Sequence, residues 1–186
     1  MIRPGRDQLS GTVEIDEAYI GGKRPGKRGR GAAGKSLVLI AVEDKDNHIG
    51  RIRLRRVPDA GAENLIPAVQ ESVEPGSVVR IDGWISYGRL ASKGYKHIIA
   101  RQSADIGENL LHLVNRVAAL LKRWLKGTHQ GVVRVSHLDS YLDESTFKFN
   151  RRTSRSRGKL FFRLVQQAVS IAPVKEQNIH GNQART

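Results

Sequence analysis

One feature constrains the fold more than any other: an order of segments. Between residues 12 and 57 three stretches of strand character succeed one another with no helical periodicity among them. The first, TVEIDEAYIGG, sets Val13 and Ile15 on one face and Glu14 and Asp16 on the other, and it stops at Gly21-Gly22. The second, residues 36–42 (SLVLIAV), is apolar throughout and rich in β-branched side chains, the pattern of a buried strand. The third, residues 48–57 (HIGRIRLRRV), alternates apolar and basic residues, and the polar turn at 43–47 joins it to the second. An antiparallel meander is the expectation.

After Pro58 the pattern changes. Residues 62–73 (AENLIPAVQESV) read as an amphipathic helix, Pro75-Gly76 as a turn, and residues 78–81 as a short apolar strand ending at Asp82-Gly83. A small helix at 87–93 leads to a fifth strand around 97–100. Strand, strand, strand, helix, strand, helix, strand predicts an α/β fold with a mixed sheet flanked by helices. Three helices at 108–126, 136–151 and 158–171 then make the C-terminal part helical. The expected division is a polar N-terminal extension (1–11), one domain (12–171) and a polar tail (172–186).

Charge limits the partners. Lys and Arg number 32 against 18 Asp and Glu, a formal charge of +14, and the pI is near 10.6. Such an excess points to a polyanion, with nucleic acid ahead of an acidic membrane surface. The absence of cysteine excludes disulfides and thiolate zinc sites. No apolar run approaches the roughly 18–20 residues of a spanning helix, and the opening MIRPGRDQLS lacks the apolar stretch of a signal peptide. A cytoplasmic protein without membrane contact is expected.

Two carboxylates stand on strand ends, Asp16 in VEIDEAY and Asp82 in VVRIDGW. Either alone is unexceptional, because Asp is a common turn residue. Together, in so basic a chain, they call for a cation, since two close carboxylates repel unless protonated or bridged. Mg²⁺ suits the task, taking one or two carboxylates plus phosphate oxygens. The helix at 108–126 adds a third element. At about 100° per residue, Leu110, Leu113, Val114, Val117, Leu120, Leu121 and Trp124 form an apolar face, while Asn115, Lys122 and Lys126 share the opposite side. Ala118 and Ala119 border that polar stripe and leave room for a bulky ligand.

The set IDEAYIGGK, IDGW, NRVAALLKRWLKGTHQG and HLDSYLDESTFKFNRR, in that order, resembles the catalytic domain of a bacterial insertion-sequence transposase of the DDE superfamily. The resemblance spans about residues 12–170. It implies an RNase H-like fold, three antiparallel strands followed by two parallel ones, and a signature of D, D, then E or N, then K. Asp16 and Asp82 match the two acids, Asn115 the third position and Lys122 the lysine. The activity implied by resemblance is that of a DNA transposase, which nicks a strand and joins the freed 3′-OH to target DNA. Asp16, Asp82 and Asn115 would hold a pair of Mg²⁺ or Mn²⁺ ions about 3.5–4 Å apart, and Lys122 would hold a phosphate near the cut. Asn115 ligates without adding charge, which implies weaker retention of the second ion. Glu144, the nearest spare carboxylate, reads as helix surface.

Members of this group usually carry an N-terminal zinc-ribbon or helix-turn-helix module. Only about a dozen residues precede the first strand here, so the expectation is an enzyme lacking its end-recognition module. The alternative is a catalytically inactive DNA-binding remnant. The resemblance also implies a homo-oligomer assembled on insertion-sequence ends and target DNA, in association with the nucleoid.

Two basic clusters suit a DNA backbone. Lys23, Arg24, Lys27, Arg28 and Arg30 lie on a glycine-rich loop after the first strand, and Arg151, Arg152, Arg155, Arg157 and Lys159 lie between the last two helices. Trp84, Tyr19, Tyr87 and Tyr141 are expected in core or interface positions, His112 exposed, and His129 and His137 structural.

Overall fold

The computed structural model describes residues 7–21, 35–100, 111–129 and 135–169. The chain divides into two compact units, Gln8–Val133 and, separately, Met1–Asp7 with Arg134–Thr186.

The larger unit holds one five-stranded sheet in the order β3-β2-β1-β4-β5. β1 (Thr12–Ile20), β2 (Ser36–Lys45) and β3 (His48–Val57) form the antiparallel meander. β4 (Val78–Ile81) pairs parallel with β1, and β5 (Lys96–Ile99) pairs parallel with β4. This is the mixed sheet expected from the sequence, with β1 at its centre. The β2–β3 turn uses positive φ at both Asp46 (52°) and Asn47 (65°), the conformation that matches a tight hairpin to the twist of its strands. Leu9, upstream of β1, is fully buried, and its backbone exchanges hydrogen bonds with Ser72 and Glu74 at 2.8 Å each.

The two faces of the sheet are covered differently. Val13 and Ile15 of β1 join Leu37, Leu39 and Ala41 of β2 and pack with Leu65, Ile66, Ala68 and Val69 of α1 (Ala62–Ser72). Side chains alternate across the pleat, so Glu14, Asp16 and Ala18 belong to the other face, beside Val42, Ile40 and Val38 of β2 in register. α2 (His112–Thr128) lies against β1 and β2 and buries Leu113, Val114, Val117, Leu121 and Leu125. The expected apolar face of this helix needs correction in detail: Leu120 is exposed and Trp124 half-buried, while Leu125, outside the expected stripe, is buried. Leu110 lies outside the described residues.

The expected small helix at 87–93 is instead two 3₁₀ turns, Ile85–Arg89 and Ala91–Lys93. Residues 82–95 connect β4 to β5, and Gly94 turns left-handed (φ 86°) directly after the second turn; short 3₁₀ pieces are common in such connectors. In the smaller unit, α3 (Val135–Phe149) buries Leu138, Leu142 and Thr146 at a four-residue repeat, and α4 (Arg157–Val169) comes next. Among the described residues no helix is long and apolar enough to cross a membrane.

Candidate active site

Backbone register places the two acids. Glu14 on β1 pairs with Arg80 on β4, and the strands run parallel. Two residues further along each chain segment, past the last residues paired between these two strands, stand Asp16 within β1 and Asp82 directly after the end of β4. Adjacent strands lie roughly 4.8 Å apart; the width of the sheet does not separate these acids. Asp16 accepts a hydrogen bond from the Glu17 amide at 2.8 Å on Oδ1, and Asp82 accepts one from the Trp84 amide at 2.9 Å on Oδ1. Both side chains are half-buried.

The bend after Asp82 is a glycine turn. Gly83 has φ +80°, and a Cβ there would meet Ile99 Cγ2 at 2.7 Å. The loop beyond it is pinned to the body of the unit. Trp84 Nε1 donates to the Ala60 carbonyl at 3.1 Å, and Ser86 Oγ donates to the same carbonyl at 2.7 Å. Tyr87 is buried, and its hydroxyl donates to Glu17 Oε1. Burial pushes the phenol well above its ordinary range; the Glu17 charge and hydrogen bond, then the charges of Asp16 and Asp82, push it the same way. The hydroxyl therefore stays neutral, with Glu17 as its acceptor. As expected, Tyr87 and Trp84 are parts of the packing.

The third element enters on the face that carries Asp16. α2 has Leu111 at its N-cap, which offers no side-chain acceptor for the helix amides. Its acceptor comes from β1 instead: the Val114 amide donates to Glu14 Oε2 at 2.8 Å. Glu14 is wholly buried, and burial raises its carboxyl above the ordinary 4.5, partly countered by the Val114 amide, the His112 charge, the Leu113 amide and Arg80. His112 Nδ1 lies 3.9 Å from Glu14 Oε1. Asn115 comes directly after Val114 in the first turns of α2 and is exposed, as are Lys122 and Lys126 further along and His112 itself. Arg116 and Arg123 are exposed on the same helix, which makes its outer surface strongly basic.

Three participants carry roles that sequence reasoning misses. Glu14 reads only as part of an acidic strand face, Glu17 carries no distinguishing signal, and Tyr87 reads as plain core. The spacing in VEIDE does place Glu14 beside Asp16; its helix partner lies a hundred residues away and leaves no local mark.

Of the basic residues, Lys23, Arg24, Lys27, Arg28 and Arg30 lie outside the described residues. In the smaller unit Arg151 is folded over the Phe147 ring at 3.9 Å, and Arg152 lies over the Phe149 ring at 4.2 Å and donates to the Phe149 carbonyl at 3.0 Å. Both therefore finish α3, whereas Arg155 and Lys159 are exposed. Glu144 accepts from Lys148 at 2.5 Å, a pair on the surface of α3 as expected. His129 meets Trp124 edge-on at 4.9 Å and His137 stacks on Tyr141 at 6.2 Å, both packing roles.

Among the described residues no group of three or more His, Asp or Glu side chains is placed to hold a metal ion. Asp16, Asp82 and Asn115 are a set of another kind, two carboxylates and an amide oxygen. No solved structure matches the chain. Over 113 residues it is 27% identical to an uncharacterized transposase-like protein of Haemophilus influenzae, covering 59% of this chain and 89% of that relative. Residues 8–150, which take in the whole sheet, α2 and α3, match the ISXO2-like transposase domain, and the chain belongs to that family.

Proposed function

We propose that this transposase-family chain cuts DNA with a divalent metal, using Asp16, Asp82 and Asn115 as ligands and Lys122 as a phosphate contact. The observation that supports this reading is the parallel pairing of β1 with β4, whose register runs through Glu14–Arg80, two residues before Asp16 on one chain segment and Asp82 on the other. Two half-exposed carboxylates so close repel each other, and a hard cation between them removes that repulsion. Their oxygens are the donors that Mg²⁺ and Mn²⁺ prefer, so the residues present fit such an ion. Asn115 adds an amide oxygen without charge, on a helix bonded to the same strand.

Bound Mg²⁺ or Mn²⁺ supplies the acidification of a water or 3′-OH and the neutralisation of charge on the phosphate oxygens. The rest belongs to this chain. Lys122 holds a phosphate as a point charge. Lys126 and the exposed arginines of α2 extend the contact along the DNA backbone. Tyr87 stays neutral and donates to Glu17, fixing the loop that carries Asp82. No tyrosine is needed as a nucleophile.

The test is a Mn²⁺ titration with a plasmid-nicking assay, comparing wild type with Asp82→Ala. Wild type is expected to bind Mn²⁺ and leave nicks ending in 3′-OH, and Asp82→Ala to lose both activities while still binding DNA. Equal DNA binding by the two proteins with no nicking by either overturns the enzymatic reading in favour of an inactive DNA-binding remnant.

A further inference from the structure

We infer that Glu14 is a positioning residue for the active site: its buried carboxylate bonds the start of α2 to the central strand and so fixes Asn115 relative to Asp16. The inference rests on the reading of Asp16, Asp82 and Asn115 as metal ligands and adds a residue that touches neither metal nor DNA.

Four observations combine. Glu14 is fully buried yet charged in type, and it stands two residues before Asp16 on the same face of β1. Its Oε2 accepts the Val114 amide at 2.8 Å, across a hundred residues of sequence. α2 has no side-chain acceptor at its own N-cap. Asn115 is the next residue after the bonded amide, so the hydrogen bond acts one peptide away from the proposed ligand.

Burying a carboxylate is costly unless it is well partnered. Here the compensation is incomplete, because Oε1 has no hydrogen bond among the described residues and His112 Nδ1 stays 3.9 Å away. A methionine of similar length, packed among Leu113, Val114 and Val117, would avoid that cost. Yet apolar contact is non-directional: it would hold the helix on the sheet without fixing its rotation or its height along β1. A carboxylate bonded to a particular amide fixes both, and the partial positive charge of a helix N-terminus complements the anion.

The experiment measures Mn²⁺ affinity and thermal stability on the full chain for Glu14→Met, Glu14→Gln, Asn115→Ala and the double variant Glu14→Met/Asn115→Ala. Supporting residues behind metal ligands typically change affinity by roughly 10–100-fold. Glu14→Met, which removes the acceptor, is expected to weaken Mn²⁺ binding about tenfold. Glu14→Gln, which keeps an acceptor oxygen, is expected to restore most of that loss. In the Asn115→Ala background Glu14→Met should add little, because the ligand it positions is gone. If Glu14→Met lowers the melting temperature but leaves Mn²⁺ affinity unchanged, or if its effect adds fully to that of Asn115→Ala, Glu14 is merely structural and the inference falls alone. If Asn115→Ala binds Mn²⁺ as wild type does, Asn115 is not a ligand and the inference falls with that part of the reading, whereas the two-aspartate reading is judged by Asp82→Ala. Should Glu14→Met not fold, Glu14→Asp, which retracts the carboxylate by one methylene, is the replacement: weakened Mn²⁺ binding supports the inference and unchanged binding overturns it.

Discussion

Single residues decide where the two acids stand, and Gly83 shows it most simply. Its φ of +80° belongs to the left-handed region, and a methyl group there would press on Ile99 at 2.7 Å. The left-handed conformation costs a side-chain-bearing residue roughly 1–2 kcal/mol, and the clash adds to it. Gly83→Ala is therefore expected to lower the melting temperature and to weaken Mn²⁺ binding, since the turn that must relax is the one that aims Asp82. A calorimetric scan with a metal titration checks both; an unchanged melting temperature would count against the turn's importance. This glycine is legible in the sequence, for Asp-Gly after an apolar strand announces a turn. Glu14 is not. In VEIDE it alternates with the apolar side chains just as a solvent-facing acid does, and only the arrival of α2 converts that face into an interior.

Elements are legible wherever a period repeats long enough. β2 and β3 stand close to where alternation and apolar runs put them, and β1 ends at Ile20, just short of the glycines. The segment at 87–93 departs from expectation because a single turn of apparent helix cannot be told from 3₁₀ turns by periodicity. The coupling of β2 to β3 is also local. Register shifts between Val42 and Asp44, and Glu43 turns inward there to meet Arg51, whose Nε lies 3.0 Å from both carboxylate oxygens. Gly50 makes room for it, since a Cβ would approach Glu43 Cβ to 2.9 Å. Arg51 also donates to the Gln8 carbonyl at 3.1 Å, tying in the chain before β1.

Burial by itself would push the Glu43 carboxyl up, but hydrogen bonds from the Arg51 side chain and from the Arg51 and Ser10 amides outweigh it and hold it below 4.5. A depressed folded-state value means that Glu43 stabilises the fold fully above pH 4.5, and the contribution is lost as pH falls through the lower folded-state value. Glu43→Gln is expected to lose about 1–3 kcal/mol at pH 7, as for other hydrogen bonds to charged groups, with the gap to wild type closing in acid. Denaturant melts at about pH 7 and about pH 3 measure it; a gap that persists undiminished in acid contradicts the assignment.

For the whole molecule the governing quantity is its formal charge of +14. Composition makes a polyanionic partner legible, yet it cannot say which face would meet it. The structure offers the outer surface of α2, where Arg116, Lys122, Arg123 and Lys126 are exposed. Each phosphate neutralised on duplex DNA contributes about −0.9 to the slope of log K against log salt. Lys126→Ala is expected to weaken binding and to make that slope shallower by about 0.9 if the lysine meets a phosphate. Fluorescence anisotropy over a salt series measures it, and an unaltered slope would remove Lys126 from the interface.

The parallel pairing of β1 with β4 has a consequence for how such a centre changes over generations. The backbone pairing that ends two residues short of the proposed carboxylate ligands is peptide-to-peptide bonding, which exchange of neighbouring side chains leaves intact. The proposed amide donor enjoys no such insurance: apolar packing holds its rod on the sheet, and a single anionic hook sets the rod's rotation. Under the proposed function, sequence drift that degrades the centre should therefore dislodge Asn115 before it parts the two aspartates.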